Sequence, residues 1–238
     1  MMKHAVIMIC TLKEYPGCAK HRKSKLKRAL NSFLKNNHGE KELILISDGC
    51  QETSKIYFEE YHGFEQIKYI LAPEQPLKYP GFLRGLGLFY TDAPTISYLD
   101  SDDYLSPSFI KNAQSALLES KADIVYYDVI TADIKREYMN MTGIIDENID
   151  QDLKKYRWTR LPVKLQERLI GTPNICHKNG RWQPYNWHNW DGKKMPSEDW
   201  VFINEYSNIL KSAGNPEPIK VDALGYYLCH YPIGGVDV

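Results

Sequence analysis

Asp100, Asp102 and Asp103 follow directly after an apolar run at residues 95–99, and three carboxylates within four positions can do chemistry. The apolar run predicts a buried strand that delivers Asp100 to the carboxyl edge of a sheet, where open α/β folds bind ligands. Carboxylates this close repel one another unless a cation or hydrogen-bond donors compensate, and hard divalent ions prefer oxygen ligands. The motif therefore predicts a metal site at Asp100 and Asp102.

An acidic turn that caps the next helix is the alternative explanation of this cluster, because Asp is favoured in turns and at helix starts. Ser106 and Pro107, however, form an N-cap and first-turn signature for a helix that runs to about residue 120. The acidic residues lie upstream of that signature, which favours the metal site.

The elements that must position these side chains alternate along the first half of the chain. Short apolar runs predict strands at residues 5–11, 43–47, 67–71, 95–99 and 124–129, and helical patterns predict helices at 22–35, 54–61, 81–90 and after 106. This order is typical of an α/β fold with a central, mainly parallel sheet flanked by helices. After about residue 133 the alternation ends, so we expect one compact domain with a regular α/β half at 1–133 and a less regular half at 134–238.

Four motifs in this order resemble the family-2 glycosyltransferases of GT-A fold. They are Asp48-Gly49 after the second strand, Arg84-Gly-Leu-Gly-Leu in a helix, Leu-Asp-Ser-Asp-Asp-Tyr-Leu at residues 99–105, and Glu198-Asp199-Trp200. The resemblance covers residues 5–130 well and the remainder only through Glu198-Asp199 and the tail. It implies a hexosyltransferase that uses a nucleotide-sugar donor, namely a UDP-sugar, and a hydroxyl acceptor.

The resemblance makes residues 1–133 the nucleotide-sugar-binding half and residues 134–238 the acceptor-binding and catalytic half. It also implies roles for residues of the first half. Asp48 would accept a hydrogen bond from the nucleotide base, Thr11 would line the same pocket, and Arg84 would pair with the diphosphate. Asp100 and Asp102 would hold Mn²⁺ or Mg²⁺ and the ribose, and Asp103 is a further candidate ligand.

In the second half, the resemblance makes Asp199 the general base of an inverting transfer, with Glu198 orienting the site or contacting the acceptor. An ordinary helix N-terminus with acidic first-turn residues is the alternative for this pair. The tyrosine-rich tail leads to His230, which the resemblance makes a third metal ligand.

The acceptor would meet the second half of the chain. Its segment from about residue 133 to residue 196 carries four of the five tryptophans, and Trp200 follows closely. Trp187, Trp190 and Trp200 could stack on a flat apolar ligand face or simply fill the core of a lobe with few aliphatic residues. His177 is a further candidate for acceptor contact, although its spacing does not require that role.

Residues 20–28 carry six basic side chains: Lys20, Arg22, Lys23, Lys25, Lys27 and Arg28. Such a run is typically a solvated helix face, and the alternative is a surface for an anionic acceptor, such as a lipid-linked saccharide or a modified DNA base. The acceptor class, whether glycan, lipid-linked glycan or nucleic acid, stays open at this point.

Two other classes fit part of the pattern. A haloacid-dehalogenase-type phosphatase also places Asp-x-Asp after a strand, but on its first strand and with Thr or Val where this chain has Tyr104. A nucleotide-sugar-binding protein without catalysis is the other alternative. No Gly-rich dinucleotide or P-loop motif follows the first strand, which disfavours a dehydrogenase or an NTPase.

The composition limits the partners and the compartment that we expect for this protein. Thirty basic and thirty acidic residues cancel, so no global field attracts nucleic acid or a membrane. No apolar run approaches the ~20 residues of a transmembrane helix, and the short apolar start at residues 5–10 predicts a strand rather than a signal peptide. Five scattered cysteines without paired spacing favour the cytoplasm.

Overall fold

The computed structural model describes residues 2–14, 18, 20–74, 80–132, 151, 153, 158–166, 170–180 and 198–229. Eleven strands are formed within these residues: β1 (His4–Cys10), β2 (Lys41–Asp48), β3 (Ile67–Ala72), β4 (Thr95–Tyr98), β5 (Tyr104–Leu105), β6 (Ile124–Tyr127), β7 (Val129–Ala132), β8 (Trp158–Leu161), β9 (Ile175–Lys178), β10 (Ile219–Val221) and β11 (Tyr226–Leu228). The α-helices are α1 (Arg22–Lys35), α2 (Gln51–Ile56), α3 (Pro80–Phe89), α4 (Phe109–Ser120) and α5 (Glu198–Ser212). A π-helical turn at Tyr57–Tyr61 extends α2, and a 3₁₀ turn at Thr172–Asn174 precedes β9.

Seven strands form the main sheet in the order β10-β6-β9-β4-β1-β2-β3. β1 lies between β2 and β4 and pairs with both in parallel, while β9 is antiparallel to β4 and β6. The connections from β1 therefore diverge to two sides, and the carboxyl ends of β1, β2 and β4 meet at a topological switch point, where such sheets bind ligands.

The two faces of the main sheet form two separate cores because side chains alternate along each strand. Val6 and Met8 of β1 face one way and pack in a cluster with residues of α1 and α4. Ala5 and Ile7 face the other way and pack with residues of α3 and α5. Both faces are covered by helices, which explains why the strands are continuously apolar.

A smaller sheet in the order β5-β11-β7-β8 lies beside the acidic turn. Its aromatic core includes Tyr104, Trp158 and Tyr227, whose rings meet edge to face. β11, near the end of the described chain, thus pairs with β5, which directly follows the acidic motif.

The prediction of an α/β fold with a mainly parallel sheet is confirmed, and α1 has the predicted bounds of 22–35. The division at residue 133 stays a prediction. The region after that residue contributes β9 and β10 to the main sheet and α5 to one of its faces.

The predicted start of α4 was wrong by two residues, because the N-cap is Ser108 and not Ser106. The Pro107 carbonyl accepts a hydrogen bond from the Asn37 backbone N–H, and the Ser106 carbonyl accepts one from the Asn36 side chain. These long-range partners hold both residues in the loop ahead of the helix.

The five cysteines are free thiols, in agreement with their scattered spacing. Within the described ranges, no helix combines the length and apolar character needed to cross a bilayer.

Gly87 of α3 lies against the sheet, and a Cβ at this position would be 2.6 Å from Cγ2 of Ile7 and 3.0 Å from Cδ1 of Ile46. We expect Gly87→Ala to lower the free energy of unfolding, because overpacking costs about 1–3 kcal/mol and the gain in helix propensity is at most about 1 kcal/mol. Urea denaturation measures this change. Gly63→Ala is the control, since a Cβ there meets nothing within 4 Å, and equal stability of the two variants would contradict the tight packing of α3.

Candidate functional site

A cavity of about 390 Å³ opens at the carboxyl ends of β1, β2 and β4. Its apolar or weakly polar wall consists of Ile9, Cys10, Pro80 and Leu83, and its polar wall consists of Thr11, Arg22, Asp48, Asp100, Ser101 and Asp102. The cavity combines an apolar surface with converging carboxylates at the switch point of the sheet, which is the usual composition of a small-molecule site.

Asp48 reaches this cavity from the end of β2 through a tight turn at Gly49. Gly49 adopts a left-handed backbone with φ of 56°, and a Cβ there would lie 2.6 Å from Cβ of Glu74. Glycine is therefore required both by the backbone conformation and by the neighbouring chain. Thr11, which follows β1, lines the same cavity, so the structure brings these two predicted donor residues together.

The acidic turn after β4 presents Asp100 and Asp102 to the cavity. Desolvation raises the pKa of Asp100, and the neighbouring carboxylates of Asp102 and Asp199 add to this effect, while Arg84 opposes it. The carboxylates are therefore crowded, and a cation between them would relieve the repulsion.

Asp103 belongs to the same turn but lies apart from the cavity wall and is only 2% exposed. Its carboxylate accepts hydrogen bonds from the Tyr226 hydroxyl at 2.9 Å and from the Cys229 backbone N–H at 2.9 Å. Burial raises the pKa of Asp103 well above its usual value, and the charges of Asp102 and Asp100 add to this. The prediction that Asp103 shares the metal ion is not supported, because its oxygens anchor β11 instead.

Arg84 of α3 joins the two halves of the chain. Its buried guanidinium donates to Oδ1 of Asp199 at 2.8 Å and to Oδ1 of Asp100 at 3.2 Å. The sequence assigned Arg84 to a diphosphate, but in the structure it bridges two carboxylates that lie 99 positions apart.

Asp199 lies in the first turn of α5, where a carboxylate interacts favourably with the helix dipole. Besides Arg84, the buried Thr172 hydroxyl donates to Oδ1 of Asp199 at 3.0 Å. Thr172 is fixed by a 3₁₀ turn that the Asn174 side chain closes by accepting the Gly171 N–H. Two donors thus orient one oxygen of Asp199, and no sequence motif had indicated Thr172.

Three of the remaining predicted site residues, Trp187, Trp190 and His230, lie outside the described residues. The side chain of Glu198 also lies outside them, although its backbone begins α5. Trp200 is partly buried and packs against the core formed with α3 and α5.

His177 is a core residue of β9 rather than an acceptor contact. It is fully buried, its Nε2 lies 2.9 Å from the Tyr98 hydroxyl, and its ring packs against Phe202 and Tyr206. Burial lowers the pKa of His177 to about 4, so the imidazole is neutral at physiological pH. The prediction that His177 contacts the acceptor was wrong, because β9 inserts into the centre of the main sheet.

The basic residues of α1 divide between two faces. Lys23 pairs with Glu52, and Lys27 pairs with Glu60 at 2.6 Å. Arg22 lines the cavity, and Arg28 donates to the backbone carbonyl of Asp102 at 3.2 Å. Sequence reasoning missed Arg22 as a site residue, although the run that contains it was visible.

Asp100 and Asp102 fit a divalent ion that is held jointly with a ligand. Within the described part of the chain, no group of three or more His, Cys, Asp or Glu side chains forms a complete metal site. Mg²⁺ and similar ions are often held by one or two carboxylates together with phosphate oxygens and water. The two aspartates supply such a set of oxygen ligands.

The open α/β sheet, the acidic turn after β4 and the carboxylate that α5 brings beside this turn agree with the glycosyltransferase class expected from the motifs. A family model described as Glycosyl transferase family 2 matches residues 7–179. Since the match spans well over half of the 238 residues, the chain belongs to glycosyl transferase family 2. The resemblance inferred from the motifs is confirmed.

Solved structures of TarS from S. aureus have a similar fold. The structure of the 1–349 fragment alone matches with a TM-score of 0.61 and 18% sequence identity. The structure of this fragment with UDP matches with a TM-score of 0.60 and 16% identity. The complex with UDP-GlcNAc matches with 0.58 and 17%. Each match covers 95% of this chain, but the chain spans only 60% of the fragment in the first two structures and 58% in the third. At this identity the likeness confirms the GT-A fold alone. No curated protein sequence matches the chain.

Tyr226 supports the acidic turn from beneath, because its hydroxyl accepts the Asp100 backbone N–H at 3.1 Å and donates to Asp103. We expect Tyr226→Phe to lower the free energy of unfolding by about 1–3 kcal/mol, since two buried polar groups lose their partner. Chemical denaturation measures the change. Tyr127→Phe is the matched control, because that buried hydroxyl donates to the Ile175 carbonyl, away from the acidic turn. Equal losses in the two variants would contradict a special role for Tyr226.

Proposed function

We propose that the protein transfers a hexose from a UDP-sugar to a hydroxyl acceptor, in a reaction that needs a divalent metal and inverts the anomeric configuration. The observation that carries this proposal is the convergence of Asp48, Asp100 and Asp102 on one cavity, with Asp199 tied to Asp100 through Arg84. A sugar transferase needs groups for the base, the diphosphate and the acceptor hydroxyl within one site, and we assign these carboxylates to the three tasks.

The nucleoside would occupy the cavity of about 390 Å³. Ile9, Pro80 and Leu83 offer apolar surface to a flat base, and Asp48, which lines the same cavity, would accept a hydrogen bond from a base N–H. Thr11 lines the same space. The TarS structures with UDP and with UDP-GlcNAc share the fold, which supports a UDP-sugar as donor.

Asp100 and Asp102 would hold Mn²⁺ or Mg²⁺, and Asp100 would also contact the ribose. When bound, the ion neutralises the diphosphate and stabilises the departing UDP as a Lewis acid. His230 stays a proposed third ligand outside the described residues. Asp103 is left out of this proposal because its carboxylate is engaged by β11.

Asp199 is the proposed general base. Its carboxylate takes the proton of the acceptor hydroxyl while that oxygen attacks the anomeric carbon from the face opposite UDP, and the bond to UDP breaks. Arg84 and Thr172 keep the carboxylate oriented, because both donate to its Oδ1. Glu198 is proposed to orient the site or to contact the acceptor.

The acceptor remains defined only as a hydroxyl compound, with Trp200 and the undescribed Trp187 and Trp190 as proposed contacts. A glycan, a lipid-linked saccharide or a modified nucleic-acid base would each supply the hydroxyl. The ion pairs of Lys23 and Lys27 with acidic side chains of neighbouring helices weaken the case that residues 20–28 bind an anionic acceptor.

A panel of nucleotide-sugars, tested with Mn²⁺ and with a chelator, examines the donor assignment. We expect UDP and UDP-hexoses to raise the melting temperature only in the presence of the metal, and slow release of UDP from the cognate donor. Thermal shift and UDP release are the measurements. Release of phosphate from small phosphoesters without any response to UDP-sugars would favour the phosphatase alternative, and donor binding without transfer would favour the non-catalytic one.

The variants Asp102→Asn and Asp199→Asn distinguish an effect on donor binding from an effect on the transfer step. Asp102→Asn should abolish transfer through loss of metal and donor binding. Asp199→Asn should lower kcat by a factor of about 10²–10⁴ while the donor still binds, because only the base is lost. Steady-state kinetics and calorimetric titration with UDP measure the two effects.

Asp92→Asn serves as the control for these variants, because Asp92 is exposed and pairs with Lys3 at the amino end of β1, whereas the cavity lies at the carboxyl end. Its kinetics should match the wild type. An Asp199→Asn enzyme with near-normal turnover would refute the base assignment.

A further inference from the structure

The described part of the cavity wall carries more acidic than basic side chains, and its basic side chain is an arginine. Among the described residues that line the cavity, three are carboxylates, Asp48, Asp100 and Asp102, and Arg22 is the one basic side chain. A donor diphosphate would add further negative charge to this wall. A divalent ion offsets part of that charge, and a protein cation facing the phosphates would offset more.

Arg84, the arginine that the sequence assigned to this task, is already engaged. Its side chain is only 8% exposed and its guanidinium holds both Asp100 and Asp199. These two carboxylates already compensate its charge, and Arg84 is not among the residues that line the cavity. The geometry therefore gives Arg84 the task of joining the acidic turn to the proposed base.

Arg22 has the geometry that Arg84 lacks. It is the first residue of α1, it lines the cavity, and its Nη1 donates to the Lys13 carbonyl at 2.5 Å in the loop after β1. That carbonyl fixes the position of the guanidinium without changing its charge. A guanidinium has five donors in a planar fork, which matches the oxygens of a phosphate.

The distribution of charge on α1 agrees with this placement. Arg22, Lys25 and Arg28 recur every three residues, so each is a neighbour of the next on the helix surface. Asp102 and Asp103 interact electrostatically with the buried Lys25, and Arg28 donates to the Asp102 carbonyl. Basic residues in a first turn oppose the helix dipole, and α1 has no acidic residue there. Helix stability alone does not explain Arg22, whereas an anion in the cavity does.

We propose that Arg22 is the diphosphate-binding cation of the donor pocket, and that Arg84 positions Asp199 instead of binding phosphate. This assignment rests on the proposed function, because it needs a nucleoside diphosphate in the cavity. It gives the cavity an anion-binding subsite on the side of α1, separate from the base contact at Asp48.

Calorimetric titration of Arg22→Gln with UDP, UMP and uridine in the presence of Mn²⁺ tests the assignment. A charge-assisted contact to the diphosphate is lost, so we expect UDP to bind about 10- to 100-fold more weakly. Uridine, which has no phosphate, should bind as it does to the wild type. Arg22→Lys should recover part of the UDP affinity, because it restores the charge but not the planar fork.

Lys23→Gln is the matched control, since it removes the same charge from the next residue, whose side chain pairs with Glu52 and is not among those that line the cavity. Its UDP affinity should stay within about twofold of the wild type, because exposed pairs contribute little. The assignment is overturned if Arg22→Gln binds UDP like the wild type, if uridine binding falls equally, or if Lys23→Gln weakens UDP binding as much. Failure of the proposed function is a different result, namely that the wild type itself binds no UDP.

Discussion

The ionic bridge from Arg84 to Asp100 and Asp199 is the interaction on which the arrangement of the site depends. Burial of a guanidinium is costly unless its N–H groups find acceptors, and Arg84, whose side chain is only 8% exposed, finds two carboxylates. Because one partner follows β4 and the other lies in α5, the bridge fixes the distant helix against the carboxyl edge of the sheet. Thr172 adds a second donor to the same oxygen of Asp199. The proposed base is therefore held by the fold before any substrate arrives.

The acidic turn shows how the same residue type takes different roles in different surroundings. Asp100 and Asp102 face the cavity, where their mutual repulsion favours a cation. Asp103 is turned into the protein, where Tyr226 and Cys229 satisfy its oxygens and tie β11 beneath the turn. One carboxylate of the cluster is thus structural, and the other two line the cavity.

Much of the fold was predictable because it follows from local sequence patterns. The 3.6-residue period of α1 and the apolar runs of the parallel strands are set by burial of nearby side chains, and both were found close to their predicted positions. The start of α4 was mispredicted because Asn36 and Asn37, about 70 residues earlier, hold Ser106 and Pro107 outside the helix. His177 was misassigned for a similar reason, since nothing local shows that β9 inserts between β4 and β6.

The sequence by itself determined the family, the α/β order and the placement of Asp48, Asp100 and Asp102 at strand ends, because motifs and periodicity depend on neighbours in the chain. Only the tertiary structure decided which carboxylates share a cavity, that Arg84 bridges two of them, and that Arg22 faces the cavity while Lys23 does not. The physical reason is that these relations join residues far apart in the chain. Their distances are set by how helices pack on the sheet, which no short stretch of sequence specifies.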